Sequence, residues 1–184
     1  MSLRIIAGGW RGRKLVTPTG DTTRPTADRT RETLFSMLVS RLGSFEGLAV
    51  ADLFAGSGAL GIEALSRGAA TCVFVEQDAA AIRALRSNIA NLQTASACDV
   101  RASSVLSLGP AKAPLDLVFL NPPYGTSAGE VALDKLQRLG WIGPATWISL
   151  ETAATEDPKI KGLETMADRK VGKAKITLLR ASPA

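Results

Sequence analysis

Short apolar runs alternate with helical patterns over most of this chain, and this alternation constrains the fold more than any other feature. When a helix separates consecutive strands, the strands pair in parallel and the helices cover the sheet. The sequence therefore predicts an α/β fold with a mostly parallel sheet. Strands are predicted near residues 48–53, 72–76, 97–101, 115–120 and 145–151, and helices near 60–67, 79–92, 103–108 and 129–139.

The C-terminal part follows a different pattern. Two strand-like runs at 163–171 and 175–180 flank Gly172, and no helical stretch separates them. Runs joined by a short glycine turn are typical of an antiparallel hairpin. We therefore predict that this hairpin extends the edge of the parallel sheet.

A glycine-rich turn follows the first predicted strand. Gly56, Gly58 and Gly61 have the spacing G-x-G-x-x-G, and Glu76 lies 20 residues after Gly56, at the end of the next strand. Glycines let the backbone approach a ligand, the helix N-terminus favours anions, and the carboxylate can accept from ribose hydroxyls. The pattern predicts a site for an adenosine-containing cofactor. The predicted contacts within it are Asp52, Phe54, Ala55, Gly56, Ser57, Gly58, Glu76 and Gln77.

The tetrapeptide at residues 121–124 follows another buried strand and predicts an amino-group methylation site. The amide oxygen of Asn121 and the carbonyl of Pro122 can accept the two hydrogens of a planar NH2 group, while Tyr124 stacks on its ring. Two consecutive prolines make the turn stiff and rich in acceptors. An ordinary proline turn after a strand is the alternative. The predicted catalytic residues are Asn121, Pro122, Pro123 and Tyr124.

The type of cofactor is left open by the glycines alone, because nicotinamide-dependent oxidoreductases share their spacing. Asp52, four residues before the first glycine, and the proline turn two strands later favour S-adenosylmethionine. The chain has no histidine, which excludes Ser-His and Cys-His catalysis and most zinc sites. We therefore expect catalysis by positioning of the reactants, without a metal ion.

Composition indicates one soluble domain. The 184 residues are 46% apolar, enough for a core of ordinary size. No apolar stretch approaches the roughly 18 residues of a membrane span, and no signal peptide is seen, so a cytoplasmic protein is expected. Cys72 and Cys98 lack C-x-x-C spacing and are predicted to be buried free thiols.

The net charge of +5 is concentrated at the N-terminus. Residues 1–41 hold eight Lys or Arg against three acids, an excess that equals the net charge of the whole chain. Runs at 4–7 and 14–17 flank three glycines and predict a basic hairpin, followed by a helix to about residue 42 with Thr26 or Asp28 as N-cap. Such a segment is typical of a surface that contacts phosphates.

Trp10, Arg11 and Arg13 are predicted at the tip of this hairpin, where the indole could stack on a base. The alternative is a solvated hairpin with Trp10 folded onto the body. Arg24, Thr26 and Arg29 could instead cap the helix or close over the cofactor. The predicted RNA contacts are Arg4, Trp10, Arg11, Arg13, Lys14, Arg24, Arg29 and Arg31.

Taken together, these segments resemble the RsmD family, bacterial methyltransferases that act on guanine N2 of 16S ribosomal RNA. The resemblance runs in order from residue 3 to about 150, and its most specific parts are 3–14, 24–35, 54–68 and the proline turn. It implies a Rossmann-like class I methyltransferase fold with a seven-stranded sheet, S-adenosylmethionine as cofactor and the guanine numbered 966 as target. The small ribosomal subunit or an assembly intermediate would be the partner, and a monomer is expected.

Two positions depart from the family pattern. The family often has Asp where this chain has Asn121, and it tends to carry Asp or Asn where Ser103 would read the adenine amine. The resemblance also suggests a division of the chain. Residues 1–42 would be an RNA-contacting extension, and residues 43–184 would be the methyltransferase domain.

Other functions share the proline turn. Enzymes that methylate protein glutamine or DNA amines carry it too, but the basic hairpin argues against the first and the short chain against a DNA-recognition domain. An RNA-binding module without catalysis is the non-enzyme alternative. Transfer of labelled methyl to small-subunit particles, DNA or release-factor protein would distinguish the three kinds of methyltransferase. Any turnover would exclude the non-catalytic RNA-binding module.

Overall fold

The computed structural model describes residues 3–18 and 25–183. A two-stranded N-terminal sheet precedes helix α1, and strands and helices then alternate up to β7. The strands are β1 (Leu3–Arg4), β2 (Lys14–Leu15), β3 (Ala49–Leu53), β4 (Thr71–Glu76), β5 (Cys98–Ala102), β6 (Leu117–Leu120), β7 (Trp147–Ala153), β8 (Leu163–Val171) and β9 (Ala174–Ala181). The helices are α1 (Pro25–Leu42), α2 (Ala59–Ser66), α3 (Ala79–Asn91) and α4 (Ala128–Arg138).

The main sheet has seven strands in the order β5-β4-β3-β6-β7-β9-β8. Strands β3 to β7 pair in parallel, whereas β9 is antiparallel to β7 and to β8. This arrangement confirms the predicted α/β class and the C-terminal hairpin. The order reverses beside β3, since β4 and β5 lie on one side of it and β6 on the other. Open α/β sheets bind ligands at such a switch point, outside the carboxyl ends of the strands.

Helices cover both faces of the sheet, and the strands are apolar on both sides as expected for buried parallel strands. Phe74 and Phe119 point to one core together with Phe35 and Ile62. Their neighbours in the strands, such as Val118, belong to a second core on the opposite face. Among the described residues, no helix is long and apolar enough to cross a bilayer.

The elements depart from the sequence prediction mainly at the N-terminus. Strands β1 and β2 have two residues each, and the backbone N–H groups of Ile6 and Ala7 donate to the side chain of Glu63 instead of extending a ladder. Helix α1 begins at Pro25, a favoured first position because proline lacks an N–H. Thr26 and Asp28 therefore both lie within the first turn, and neither residue is the N-cap.

Two smaller predictions need comment. The helix expected at 103–108 is a single 3-10 turn at Val105–Ser107, capped by the hydroxyl of Ser104. Both cysteines are free thiols, with Cys72 buried and Cys98 partly exposed. Burial raises the pKa of the Cys98 thiol to about 11, so this thiol stays protonated at neutral pH.

Candidate active site and basic extension

The glycine loop after β3 is open on one side and tightly packed on the other. Gly56 has a φ of +59°, and a Cβ added there would meet nothing within 4 Å. At Gly58, with φ +87°, a Cβ would lie 2.4 Å from Leu85 Cδ1, and at Gly61 it would lie 2.5 Å from the Phe74 ring. The first glycine thus leaves space for a ligand, while Gly58 allows close packing with α3 and Gly61 lets α2 lie directly against β4.

Asp52 lies under this loop and not on its open side. Its side chain is 1% exposed, and Oδ2 accepts from the backbone N–H of Gly61 at 2.9 Å. Burial, reinforced by the nearby charge of Glu76, raises the pKa of the Asp52 carboxyl to about 7. Asp52 therefore holds the first turn of α2 in place, and its predicted contact with the cofactor stays a prediction.

Glu76 stands at the edge of the loop, where β4 ends. Its Oε1 accepts from the N–H of Gly56 at 2.7 Å, and Oε2 accepts from the N–H groups of Gln77 and Asp78, each at 2.9 Å. The carboxylate is only partly buried. These three donors fix the orientation of a carboxylate beside the open face of the loop.

The other predicted cofactor residues lie along the same sheet edge. Phe54 has a φ of +59°, a strained conformation for an aromatic residue of the kind that clusters at ligand sites. The N–H of Ala55 donates to the carbonyl of Val75 at 3.1 Å, which ties the loop to β4. Ser103 follows β5, whose last residue Ala102 is paired with Glu76. The structure thus brings the residues after three neighbouring strands together.

The proline turn begins directly after β6, next to the glycine loop. Leu120 is paired with Leu53 at the end of β3, and the N–H of Asn121 donates to the carbonyl of Leu53 at 3.4 Å. The side chain of Asn121 is exposed and Pro122 is buried. The carbonyl of Pro123 accepts from the hydroxyl of Thr126 at 2.8 Å. The turn therefore places Asn121 at the switch point of the sheet. One hydrogen bond to β3 and one within the turn hold its backbone.

Tyr124 is 45% exposed, and its hydroxyl donates to Oε2 of Glu151 at 2.5 Å. Burial and the adjacent carboxylate raise the pKa of the Tyr124 hydroxyl, so it remains a donor at neutral pH. Burial likewise raises the pKa of Glu151. Glu151 was not predicted as a site residue. The available signal was an acid near the carboxyl end of a buried strand that neighbours the proline turn.

Glu63 in α2 fastens the N-terminal hairpin and α1 to the body of the protein. Its fully buried carboxylate accepts from the N–H groups of Ile6 (2.8 Å) and Ala7 (3.0 Å). It also pairs with Arg31 (3.4 Å) and Arg67 (2.9 Å). A carboxylate with this many donors is well compensated for burial. In the sequence, the signal for this set of bonds was a single charged residue inside an otherwise apolar helix.

Asn88 in α3 joins the N-terminal segment to the glycine loop. Its Oδ1 accepts from the N–H of Val16 at 2.6 Å, and its Nδ2 donates to the carbonyls of Val16 (2.9 Å) and Ser57 (3.0 Å). The side chain is 1% exposed. One buried amide therefore contacts both the basic extension and the predicted cofactor loop.

Most of the predicted basic residues are on the surface. Arg31 is the exception, because it is 8% exposed and paired with Glu63, so it stabilises the fold, and its predicted RNA contact stays a prediction. Trp10 packs against the core, in agreement with the alternative considered for the hairpin. Arg24 and the side chain of Thr26 lie outside the described residues. The exposed members are Arg4, Arg11, Arg13, Lys14 and Arg29.

Fold and site together define a class I methyltransferase, with a glycine loop at the switch point of the sheet and an Asn-Pro-Pro-Tyr turn beside it. The sequence pattern of the family described as conserved hypothetical protein 95 matches residues 3–180. The chain belongs to this family, which confirms the resemblance to RsmD proteins. Among the described residues, no cluster of three or more His, Cys, Asp or Glu side chains is suited to a metal ion.

Named relatives support the same assignment. Ribosomal RNA small subunit methyltransferase D of Escherichia coli strain K12 is 40% identical over 150 residues, which cover 82% of this chain and 74% of the relative. The protein of the same name from Haemophilus influenzae is 42% identical over 158 residues, covering 82% and 78%. The solved structure of yhhF from Escherichia coli superimposes with a TM-score of 0.86 at 34% identity and covers 98% of both chains.

Proposed function

We propose that this protein methylates the exocyclic N2 amine of a guanine in 16S ribosomal RNA, the one numbered 966, with S-adenosylmethionine as methyl donor. The observation that carries the proposal is the position of Asn121. It follows β6 directly beside the glycine loop that follows β3, and its backbone bonds to the last residue of β3. Methyl donor and amine would therefore meet between two neighbouring strands. The names of the relatives support ribosomal RNA as the substrate.

The described residues fit the cofactor. The open side of Gly56 leaves room for the backbone to approach it, and the oriented carboxylate of Glu76 can accept from both ribose hydroxyls. Ser103, which follows the neighbouring strand β5, would contact the adenine. When bound, S-adenosylmethionine supplies a methyl group on a positively charged sulfonium. The remaining catalytic work is done by residues that hold and orient the amine.

Asn121 and Tyr124 orient the target base in this proposal. The amide oxygen of Asn121 and the carbonyl of Pro122 accept the two amine hydrogens, and the exposed ring of Tyr124 stacks on the guanine. Stacking on an aromatic side chain contributes about 1–3 kcal/mol per base. Holding both reactants near attack geometry can contribute about 7–11 kcal/mol. The amine loses a proton to water after transfer, so no strong base is needed.

The basic extension is the proposed RNA surface. Arg11, Arg13 and Lys14 are exposed, and the extension is docked through Glu63 and Asn88 close to the glycine loop. Positive side chains near the site would bind phosphates around the target and guide a flipped base to the proline turn.

The experiment that tests the function is a comparison of ribosomal RNA from a deletion strain with and without this gene. Primer extension over the modified region should show a stop at guanine 966 only when the protein is present. In vitro, labelled methyl should pass to small-subunit particles and not to DNA or to release-factor protein. Label in either of the other two substrates alone would contradict the proposal.

Glu76→Ala is expected to weaken S-adenosylmethionine binding by about 1.5–3 kcal/mol, since hydrogen bonds to a charged group are removed. RNA affinity should remain within error. Isothermal calorimetry with the cofactor measures the effect. Glu164→Ala removes an exposed acid from β8 of the same sheet and is the matched control. Unchanged cofactor affinity in Glu76→Ala would show that this carboxylate only holds the loop.

The triple replacement of Arg11, Arg13 and Lys14 with alanine is expected to weaken RNA binding and its dependence on salt. For every phosphate that the variant no longer binds, the slope of log K against log salt should decrease by about 0.7–0.9. Cofactor affinity should not change. The matched control replaces three exposed lysines of the C-terminal part, Lys161, Lys170 and Lys173, and has the same net charge. Equal slopes in the two triple variants would exclude the hairpin as the RNA surface.

A further inference from the structure

Glu151 lies beside the catalytic turn on the neighbouring strand. Leu150 of β7 is paired with Leu120 of β6, so Glu151 and Asn121 are the next positions of two parallel strands. Adjacent strands are about 4.8 Å apart. Both residues therefore stand at the carboxyl edge of the sheet, and the hydroxyl of Tyr124 bonds to Glu151 at 2.5 Å. A carboxylate thus borders the place where the target base would lie.

The carboxylate of Glu151 has acceptor capacity to spare. Oε2 accepts from Tyr124, whereas no donor among the described residues bonds to Oε1. The nearby Glu156 differs, because its two oxygens accept from the backbone N–H groups of Ala153 (2.6 Å) and Gly125 (3.3 Å). Both oxygens of Glu156 are therefore used by the backbone, whereas Glu151 keeps one oxygen that a ligand could use.

The edge of guanine that carries N2 matches such an acceptor. N1–H and the N2 amine are neighbouring donors on this edge, whereas N1 of adenine is an acceptor that a carboxylate would repel. A site built to bond a substrate donor strongly rejects an analogue that lacks it, because its polar group is left unpaired. Two acceptors on neighbouring strands suit two neighbouring donors on one base.

We propose that Glu151 is a specificity-determining residue that accepts a hydrogen bond from N1–H of the target guanine, while Asn121 holds the N2 amine. This inference rests on the proposed guanine-N2 activity. The bond to Tyr124 aligns the carboxylate with the edge of the base that stacks on the tyrosine ring. Glu151 thereby makes guanine, and not merely any base with an exposed amine, the preferred substrate.

The test uses RNA with 2-aminopurine at the target position. This base keeps the amine of guanine at position 2, but its N1 is an acceptor without a proton. The wild-type protein should prefer guanine, in kcat/KM, by at least about tenfold. In Glu151→Gln, the amide can turn a donor toward N1 of 2-aminopurine, so the preference should fall by about tenfold or more. Glu151→Ala should also lose discrimination, with low activity on both RNAs.

Two further variants distinguish two roles of Glu151, which are recognition of guanine N1–H and support of Tyr124. Tyr124→Phe loses the hydroxyl bond that aligns Glu151 but keeps the carboxylate, so it should slow both RNAs and retain part of the preference for guanine, which Glu151→Gln loses. Glu130→Gln removes an exposed acid of α4 that lines the same surface pocket as Glu151, and it should keep both rate and preference. Thermal unfolding and cofactor calorimetry of Glu151→Gln check that the fold and the cofactor site are intact.

The outcomes are distinct. If Glu151→Gln slows both RNAs equally and keeps the wild-type preference, Glu151 only positions Tyr124 and the inference is overturned. If the wild-type protein methylates the guanine RNA with no preference over 2-aminopurine, the inference fails while the proposed function stands. If the wild-type protein methylates neither RNA, the proposed function fails, and the role of Glu151 fails with it.

Discussion

Replacement of Asn121 with alanine is expected to lower the rate of methyl transfer by about 10²–10³-fold, the effect of removing one aligned polar group from a reacting centre. Cofactor affinity should be unchanged, because Asn121 follows β6 while the glycine loop follows β3. The side chain is exposed and only its backbone N–H bonds to Leu53, so the truncation should not disturb the sheet. Single-turnover transfer of labelled methyl measures the rate.

Asn121→Asp is the matched control, since a carboxylate oxygen can replace the amide oxygen as acceptor. This variant should retain substantial activity, and calorimetry should give the same cofactor affinity for both variants. A wild-type transfer rate in Asn121→Ala would remove Asn121 from the catalytic residues and leave the proline turn as a structural feature.

Glu63→Ala is expected to destabilise the protein by about 3–5 kcal/mol, the cost of breaking a buried ion pair. Arg31 and Arg67 would lose their common partner, and the N–H groups of Ile6 and Ala7 would lose their acceptor. For a chain of this size, 1 kcal/mol shifts Tm by about 2–4 °C, so Tm should fall by about 6–20 °C. Thermal unfolding followed by circular dichroism measures the loss.

Hydrogen exchange separates undocking of the hairpin from general destabilisation. The amides of Ile6 and Ala7 should lose protection in Glu63→Ala well before the strands of the sheet do. Glu32→Gln removes an exposed acid from α1 and should change neither Tm nor protection. Full protection of the two amides in Glu63→Ala would mean that other contacts dock the hairpin.

The fold was predictable because its signals are local and repeated. The strands at 49–53 and 117–120 are short and largely apolar, and the segments between them have helical spacing. The glycines were predictable for the same reason, since Gly56 and Gly58 have a positive φ that few other residues adopt and Gly61 leaves no room for a Cβ beside Phe74.

The sequence did not predict which buried polar residues support the glycine loop and the N-terminal hairpin. Asp52, Glu63 and Asn88 are all buried, and their partners are 9, 57 and 72 residues away along the chain. Bonds over such separations depend on tertiary contacts that no local pattern contains. The burial of Arg31 was missed for the same reason, because its charge is visible in the sequence while its partner Glu63 is 32 residues distant.

The docking of the N-terminal hairpin has a consequence for how its surface can vary. Most of the hydrogen bonds that dock it come from backbone N–H groups of the hairpin, which bond to side chains or carbonyls of the body; these donors are Ile6, Ala7, Gly9, Trp10 and Val16. Backbone donors are the same whatever side chain a residue carries. Exposed positions such as 11 and 14 can therefore change without removing these bonds, whereas the side chain of Arg13 adds a docking bond of its own, to the carbonyl of Asn91 at 3.1 Å. If the tip binds RNA as proposed, its preference for different RNA surroundings can change at such positions while the rest of the protein keeps its structure.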